Sequence, residues 1–112
     1  MSLKKWVSCL NNCSIKFLQL LAIAMKAGKL SVGEGRATDS IRKGEAKLII
    51  LSEDASQNTK KKFSDMGAYR SIEVLCVSDR YELGRTVGRE FAVVIAVCDK
   101  GLSEQLMLSL KN

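Results

Sequence analysis

Ile15, Leu18, Leu21, Ala22 and Met25 recur at three- and four-residue spacing among polar positions, the mark of an amphipathic helix over about 14–26. Asn12 or Ser14 could cap its start, and Gly28 suits the position just past its end. Leu30 to Val32 reads as a short edge strand. Ala37 and Ile41, one turn apart, predict a second helix over 35–42 that Gly44 ends. Residues 46–51 are apolar apart from Lys47 and predict a strand. Asp54 with Gln57 three residues on resembles a capping box for a third helix running to about Met66. Another strand is expected over 72–77. Asp79 with Glu82 opens a short helix ending near Gly84 or Gly88. Residues 91–97 form the most apolar strand, and Asp99 begins a last helix through Leu102, Leu106 and Leu110.

Helices and strands thus alternate, and the strands are continuous apolar runs rather than alternating ones. Such strands are covered on both faces. The fold class that follows is α/β: a three-layer α/β/α sandwich with a mixed, mostly buried sheet of about four strands. The pattern leaves the strand order open.

At 112 residues, the chain is expected to be one domain over 1–112, with 1–11 loosely ordered. A chain of this size buries roughly two thirds of its unfolded surface, enough for a core without metal or disulfide staples. The formal charge of +6 favours an anionic partner such as nucleic acid. Aromatic residues make up only 5%, so stacking platforms for single-stranded bases are not expected to carry the binding. Cys76 and Cys98 lie inside apolar runs and read as small core residues, while Cys9 and Cys13 are one helical turn apart. Without histidine or a second close cysteine pair, a zinc site is not expected, nor any other metal or cofactor. Residues 1–5 lack the apolar segment of a secretory signal, and no run approaches the roughly 20 apolar residues of a membrane span. A reducing, cytoplasmic setting follows.

The candidate chemistry centres on Gly33-Glu34-Gly35-Arg36. Glycines ahead of a helix allow close backbone approach, and the first-turn N–H groups and helix dipole favour a phosphate. A turn that merely needs glycine reads equally well. No Gly-Lys-Ser/Thr follows, so this is not a nucleoside-triphosphate loop. Arg36 at the first turn opposes the helix dipole, which hints at an external anion; Arg42 and Lys43 decorate the same helix. Lys60, Lys61 and Lys62 cannot share one helical face and read mainly as solvated. Arg80, Arg85 and Arg89 flank a glycine-bearing loop that ends at Phe91, a core residue or a loop-tip contact. Catalysis finds little support: Asp54 has a capping role, no histidine supplies a base near neutral pH, and neither Ser52 nor Cys98 has an obvious activator.

Together, the glycine turn, the run Ala46-Lys47-Leu48-Ile49-Ile50-Leu51-Ser52-Glu53-Asp54-Ala55-Ser56 and the run Glu82-Leu83-Gly84-Arg85-Thr86-Val87-Gly88 resemble the ribosomal protein L7Ae and L30e superfamily of kink-turn RNA binders. Within it the chain is most similar to the bacterial, ribosome-associated YlxQ-like branch. The resemblance implies an α/β/α sandwich that binds sharply bent RNA with tandem sheared G·A pairs. It also implies that binding uses the N-terminus of the second helix and a loop before the last strand. By position, the helix element is Gly33, Glu34, Gly35, Arg36 and Asp39, and the loop contact is Arg89, Glu90 and Phe91. Ser56 and Lys60 stand where members can touch a flipped nucleotide. Strong binders carry Gly-x-Asn-Glu or Gly-x-Lys-Gln, then a lysine one turn later. Here Gly35 and Arg36 occupy the two reading positions and Asp39 the lysine position, so base reading passes to Arg36, whose guanidinium can pair with guanine O6 and N7.

The function expected is RNA binding without enzymatic activity. Arg36, Arg42, Lys43, Arg85 and Arg89 would neutralise phosphates, and the partners would be structured RNA and ribosomal proteins. The alternatives are a protein-interaction module in a ribonucleoprotein, without kink-turn binding of its own, and a small nucleotide-using enzyme.

Overall fold

Alternation along the strands decides which helix covers which face. A computed structural model describes residues 15–111. Its elements are α1 (Ile15–Lys26), β1 (Leu30–Val32), α2 (Glu34–Arg42), β2 (Leu48–Leu51), α3 (Gln57–Arg70), β3 (Glu73–Cys76), α4 (Arg80–Thr86), β4 (Val94–Val97) and α5 (Lys100–Lys111). Residues 1–11, the Asn12 or Ser14 cap, Cys9 and Cys13 lie outside the described residues.

The sheet order is β1-β4-β2-β3. The last strand in sequence is therefore interior, antiparallel to β1 (Leu30 opposite Val97) and to β2 (Ile50 opposite Ile95). β2 and β3 are parallel, as their helical crossover through α3 allows. On one face, Leu48, Ile50, Ile95 and Val97 pack with Phe17 and Leu21 of α1, Leu83 of α4 and Leu106 of α5. On the other, Ile49, Leu51, Val94 and Ala96 pack with Ala37 and Ile41 of α2 and Phe63 of α3. Every residue of β2 and β4 is buried. The continuous apolar runs are thus period-2 strands with both faces covered, and the sandwich has the three expected layers.

Four local expectations need correction. In α1, Leu21 is buried and Leu18 and Met25 pack against the core as the spacing predicts, but Ile15 is 73% exposed, and Phe17 and Ala24 complete the buried face. The third helix is capped by Ser56, whose hydroxyl accepts from the Thr59 amide at 3.1 Å, and it runs to Arg70, where Ser71 turns left-handed (φ 59°). Asp54 does not cap it, because its carboxylate is taken by Arg80. The last strand begins only at Val94, because the preceding residues are drawn off the ladder: Ala92 N–H donates to the Arg80 carbonyl at 2.9 Å. Phe91 is consequently 54% exposed rather than core. Asp79 does cap α4, accepting from the Tyr81 and Glu82 amides at 2.8 and 2.9 Å, and Asp99 accepts from the Leu102 amide at 2.8 Å at the start of α5. Cys76 is buried and Cys98 half-buried.

Candidate nucleic-acid interface

The loops at one end of β2, β3 and β4 meet the start of α2. Gly33 anchors that meeting: its N–H donates to the Val94 carbonyl at 2.8 Å, and its φ of 106° with ψ of 155° lies in a region essentially confined to glycine. No side chain caps α2, whereas Ser56, Asp79 and Asp99 serve α3, α4 and α5. The first-turn amides of α2 are therefore offered outward with the positive end of the helix dipole behind them. Gly35 is a different case. Its backbone is helical, and a Cβ there would meet nothing within 4 Å, so neither strain nor crowding demands glycine; its effect is a bare surface.

Glu34 turns toward α3. Its carboxylate accepts from the Thr59 hydroxyl at 3.1 Å, Thr59 in turn accepts from the Ser56 hydroxyl at 3.0 Å, and the Lys62 ammonium lies 3.9 Å away. This chain joins the starts of α2 and α3, leaving Arg36 exposed on the first turn.

The other wall is the loop after α4. The backbone of residues 90–91 lies directly on Gly84, where a Cβ would approach the Phe91 Cα to 2.5 Å and its N to 2.7 Å. The Arg89 N–H donates to the Gly84 carbonyl at 2.8 Å. Held this way, Arg89, Glu90 and Phe91 face Gly33 and Glu34 across an open groove of about 430 Å³ floored by Val32 and Val94. Arg80 secures the rim through Asp54. Partial burial acts to raise the Asp54 pKa. The Ser52 hydroxyl, although outside strict hydrogen-bond geometry, and the Arg80 amide and guanidinium act to lower it, and the lowering prevails.

The structure therefore brings together Gly33, Glu34, Gly35, Arg36, Ser56, Arg89, Glu90 and Phe91. Lys60 is half-buried on the first turn of α3, Asp39 is exposed one turn beyond Arg36, and Arg85 is exposed beside Gly84. Arg42 and Lys43 do not join the groove. They close α2 about 12 Å along its axis from Glu34, at the end of the sheet where Lys47 N–H bonds the Val97 carbonyl rather than where Gly33 bonds Val94. The cations expected to neutralise phosphates therefore do not share one surface: Arg42 and Lys43 lie at the other end of α2 from Arg36. Sequence reasoning missed Lys62 as the lysine that reaches α2; the pairing of Ser56 with Thr59 at capping spacing was the available signal. Among the described residues, no cluster of three acidic, histidine or cysteine side chains is placed to hold a metal, and no helix is long and apolar enough to cross a membrane.

The chain belongs to the ribosomal protein L7Ae/L30e/S12e/Gadd45 family, whose model matches residues 15–107. It is 40% identical over 93 residues to the RNA-binding protein YlxQ of Bacillus subtilis, covering 83% of this chain and 93% of that one. It is 33% identical over 90 residues to the large ribosomal subunit protein eL30 of Eremothecium gossypii, covering 79% and 86%. A solved structure of a protein of unknown function from Bacillus halodurans superposes with a TM-score of 0.85 at 37% identity, over 88% of this chain and all of that one. The 15.5 kD RNA-binding protein of Giardia lamblia shares the fold, with a TM-score of 0.77 at 15% identity over 95% and 92%.

Proposed function

We propose that this chain is a cytoplasmic, non-enzymatic RNA-binding domain that recognises kink-turn or similarly bent structured RNA and works beside ribosomal proteins. The observation that carries the reading is the groove itself. The uncapped start of α2 and the exposed Phe91 stand on its two walls, so a backbone bend can rest its phosphates on free amides while an unstacked sugar or base meets the ring. Arg36 supplies the base-edge contact that Gly35 cannot make. Arg85 and Arg89 add positive charge along the rim.

Relatives that are themselves named RNA-binding and ribosomal proteins support this reading. A second reading, an interaction module that has lost RNA recognition, is favoured by the bare Gly35 and the acidic Asp39 beside Arg36. Fluorescence anisotropy with an RNA carrying tandem sheared G·A pairs, and with its Watson–Crick-paired counterpart, separates the two. The bent RNA is expected to bind at least about tenfold more tightly. Equal affinity for both would remove bend recognition, and silence toward both at micromolar protein would favour the interaction module.

A further inference from the structure

We propose that the end of the molecule opposite the groove is a second RNA contact, one that holds a flexible, unpaired strand. This goes beyond the reading above: it shares the ligand class but uses none of the groove residues.

The two ends are set apart by β4. Gly33 bonds Val94 at one end of the strand and Lys47 bonds Val97 at the other. At the second end, the turn after α2, the entry to β2 and the end of α3 surround an open depression of about 550 Å³ that includes Gly44, Lys47, Tyr69 and Arg70. Arg70 reaches across it, donating to the Arg42 carbonyl at 3.4 Å, which draws the ends of α2 and α3 together. Lys47 and Arg70 line this depression, Arg42 and Lys43 lie just before its Gly44 at the end of α2, and all four are exposed.

Near the groove, Lys62 is paired with Glu34 and Arg80 with Asp54, while Arg36, Arg85 and Arg89 enter no ion pair among the described residues. Among the described residues, the ion pairs include none from Arg42, Lys43, Lys47 or Arg70. Arg42 and Arg70 fall in the last turns of helices, where the dipole welcomes a cation. That explanation does not extend to Lys47, which stands at a strand entry. Unpaired cations around one depression repel each other, and an external polyanion relieves the repulsion.

Tyr69 decides which polyanion. It is 85% exposed, with the Arg70 guanidinium 5.8 Å from its ring centroid. A bare aromatic face backed by an arginine plane is the arrangement on which an unstacked base lies, while lysines beside it track the phosphates. An acidic protein segment would use the charges and leave the ring idle. The two contacts could then be made by one RNA: the bend in the groove, and a single-stranded flank around the far end of a body only 30 × 29 × 26 Å across.

The test uses fluorescence anisotropy with three probes: a labelled oligouridine, a kink-turn RNA trimmed to its helices, and the same RNA with an unpaired extension. Two variants are compared, Tyr69→Ala combined with Lys43→Gln and Lys47→Gln, and Arg36→Ala alone, each checked by circular dichroism for a native melt. The far-end variant is expected to lose at least about fivefold in oligouridine affinity, with a salt slope shallower by about 1.4 for two lost single-strand contacts at about 0.7 each. It should also lose the gain in affinity that the extension provides, yet bind the trimmed RNA as before. Arg36→Ala is expected to do the reverse. Unchanged oligouridine binding in the far-end variant would overturn the proposal, as would absence of oligouridine binding by the unaltered chain. Equal displacement of oligouridine by an oligoglutamate of matched charge would also overturn it and reassign the surface to an acidic protein. Loss of trimmed-RNA binding in the far-end variant would overturn the separation of the two contacts, whereas failure of the unaltered chain to bind the trimmed RNA, with oligouridine binding retained, would speak against the groove and not against this site.

Discussion

Arg80 grips Asp54 from two sides. Its amide lies 3.3 Å from one carboxylate oxygen, its Nε 3.3 Å from the other, and its Nη2 donates to the Asp54 carbonyl at 2.8 Å. The Arg80 carbonyl meanwhile takes the Ala92 amide at 2.9 Å. One residue therefore ties the turn after β2, the start of α4 and the loop that carries Phe91. The rim of the groove depends on this tie, although neither partner faces the groove.

The tie is pH-sensitive. In the folded chain the Asp54 carboxyl sits below its ordinary value of 3.8, so folding favours the ionised form. The stabilisation is complete above that ordinary value and is lost as pH falls through the lowered one. Solvent screens a pair this exposed, so the gain should be modest, about 0.2–1 kcal/mol. Asp54→Asn is expected to melt slightly below the parent at pH 7, with the difference shrinking as acidification protonates the Asp54 carboxyl. A difference that grew on acidification would contradict the assignment.

Gly33→Ala should cost about 1–3 kcal/mol, because alanine must adopt a backbone conformation that only glycine reaches without strain. The void around a Cβ there is empty, so crowding plays no part. Urea unfolding measures the loss. Gly35→Ala, in a helical and equally open position, should instead be neutral or stabilising by up to about 1 kcal/mol.

Two substitutions separate support from contact in the loop. Gly84→Ala drives a Cβ into the backbone of residues 90–91 and should destabilise the fold by about 1–3 kcal/mol. Phe91→Ala removes a ring that is mostly in solvent, so its melt should stay within about 0.5 kcal/mol of the parent. Its affinity for bent RNA should fall, by up to about 1–3 kcal/mol if a base stacks there. A large stability loss in Phe91→Ala would place the ring in the core after all.

Arg36→Ala should weaken binding to bent RNA more than to a straight duplex, since a guanine-edge contact is specific and a phosphate contact is not. Titrations across salt concentrations distinguish these. Equal losses on both RNAs, with the slope shallower by about one contact, would make Arg36 a phosphate ligand only.

Much of the architecture was legible in the sequence because apolar runs and glycine stops report directly on burial. The runs at Leu48–Leu51 and Val94–Val97 were fully apolar because both faces are covered. Capping was legible where the acid sits next to its helix, as Asp79 does. It misled at Asp54, whose partner Arg80 is 26 residues away; a carboxylate near a helix start looks the same in sequence whether it caps or pairs. Phe91 was ambiguous for a similar reason, since what holds it outside is a contact with Gly84 and a hydrogen bond beside Arg80, both tertiary. The grouping of the cations was least legible. Arg36 and Arg42 are neighbours along the chain, but a helix of nine residues carries its two ends to different sides of the molecule.

The bond from Gly33 to Val94 fastens the opening of α2 to an interior strand of the sheet. An edge fastened in this way has less conformational entropy to surrender when something settles on it than a free loop would have. Adaptation then falls to the visitor: a nucleic acid docking there would be bent to a shape the protein already holds.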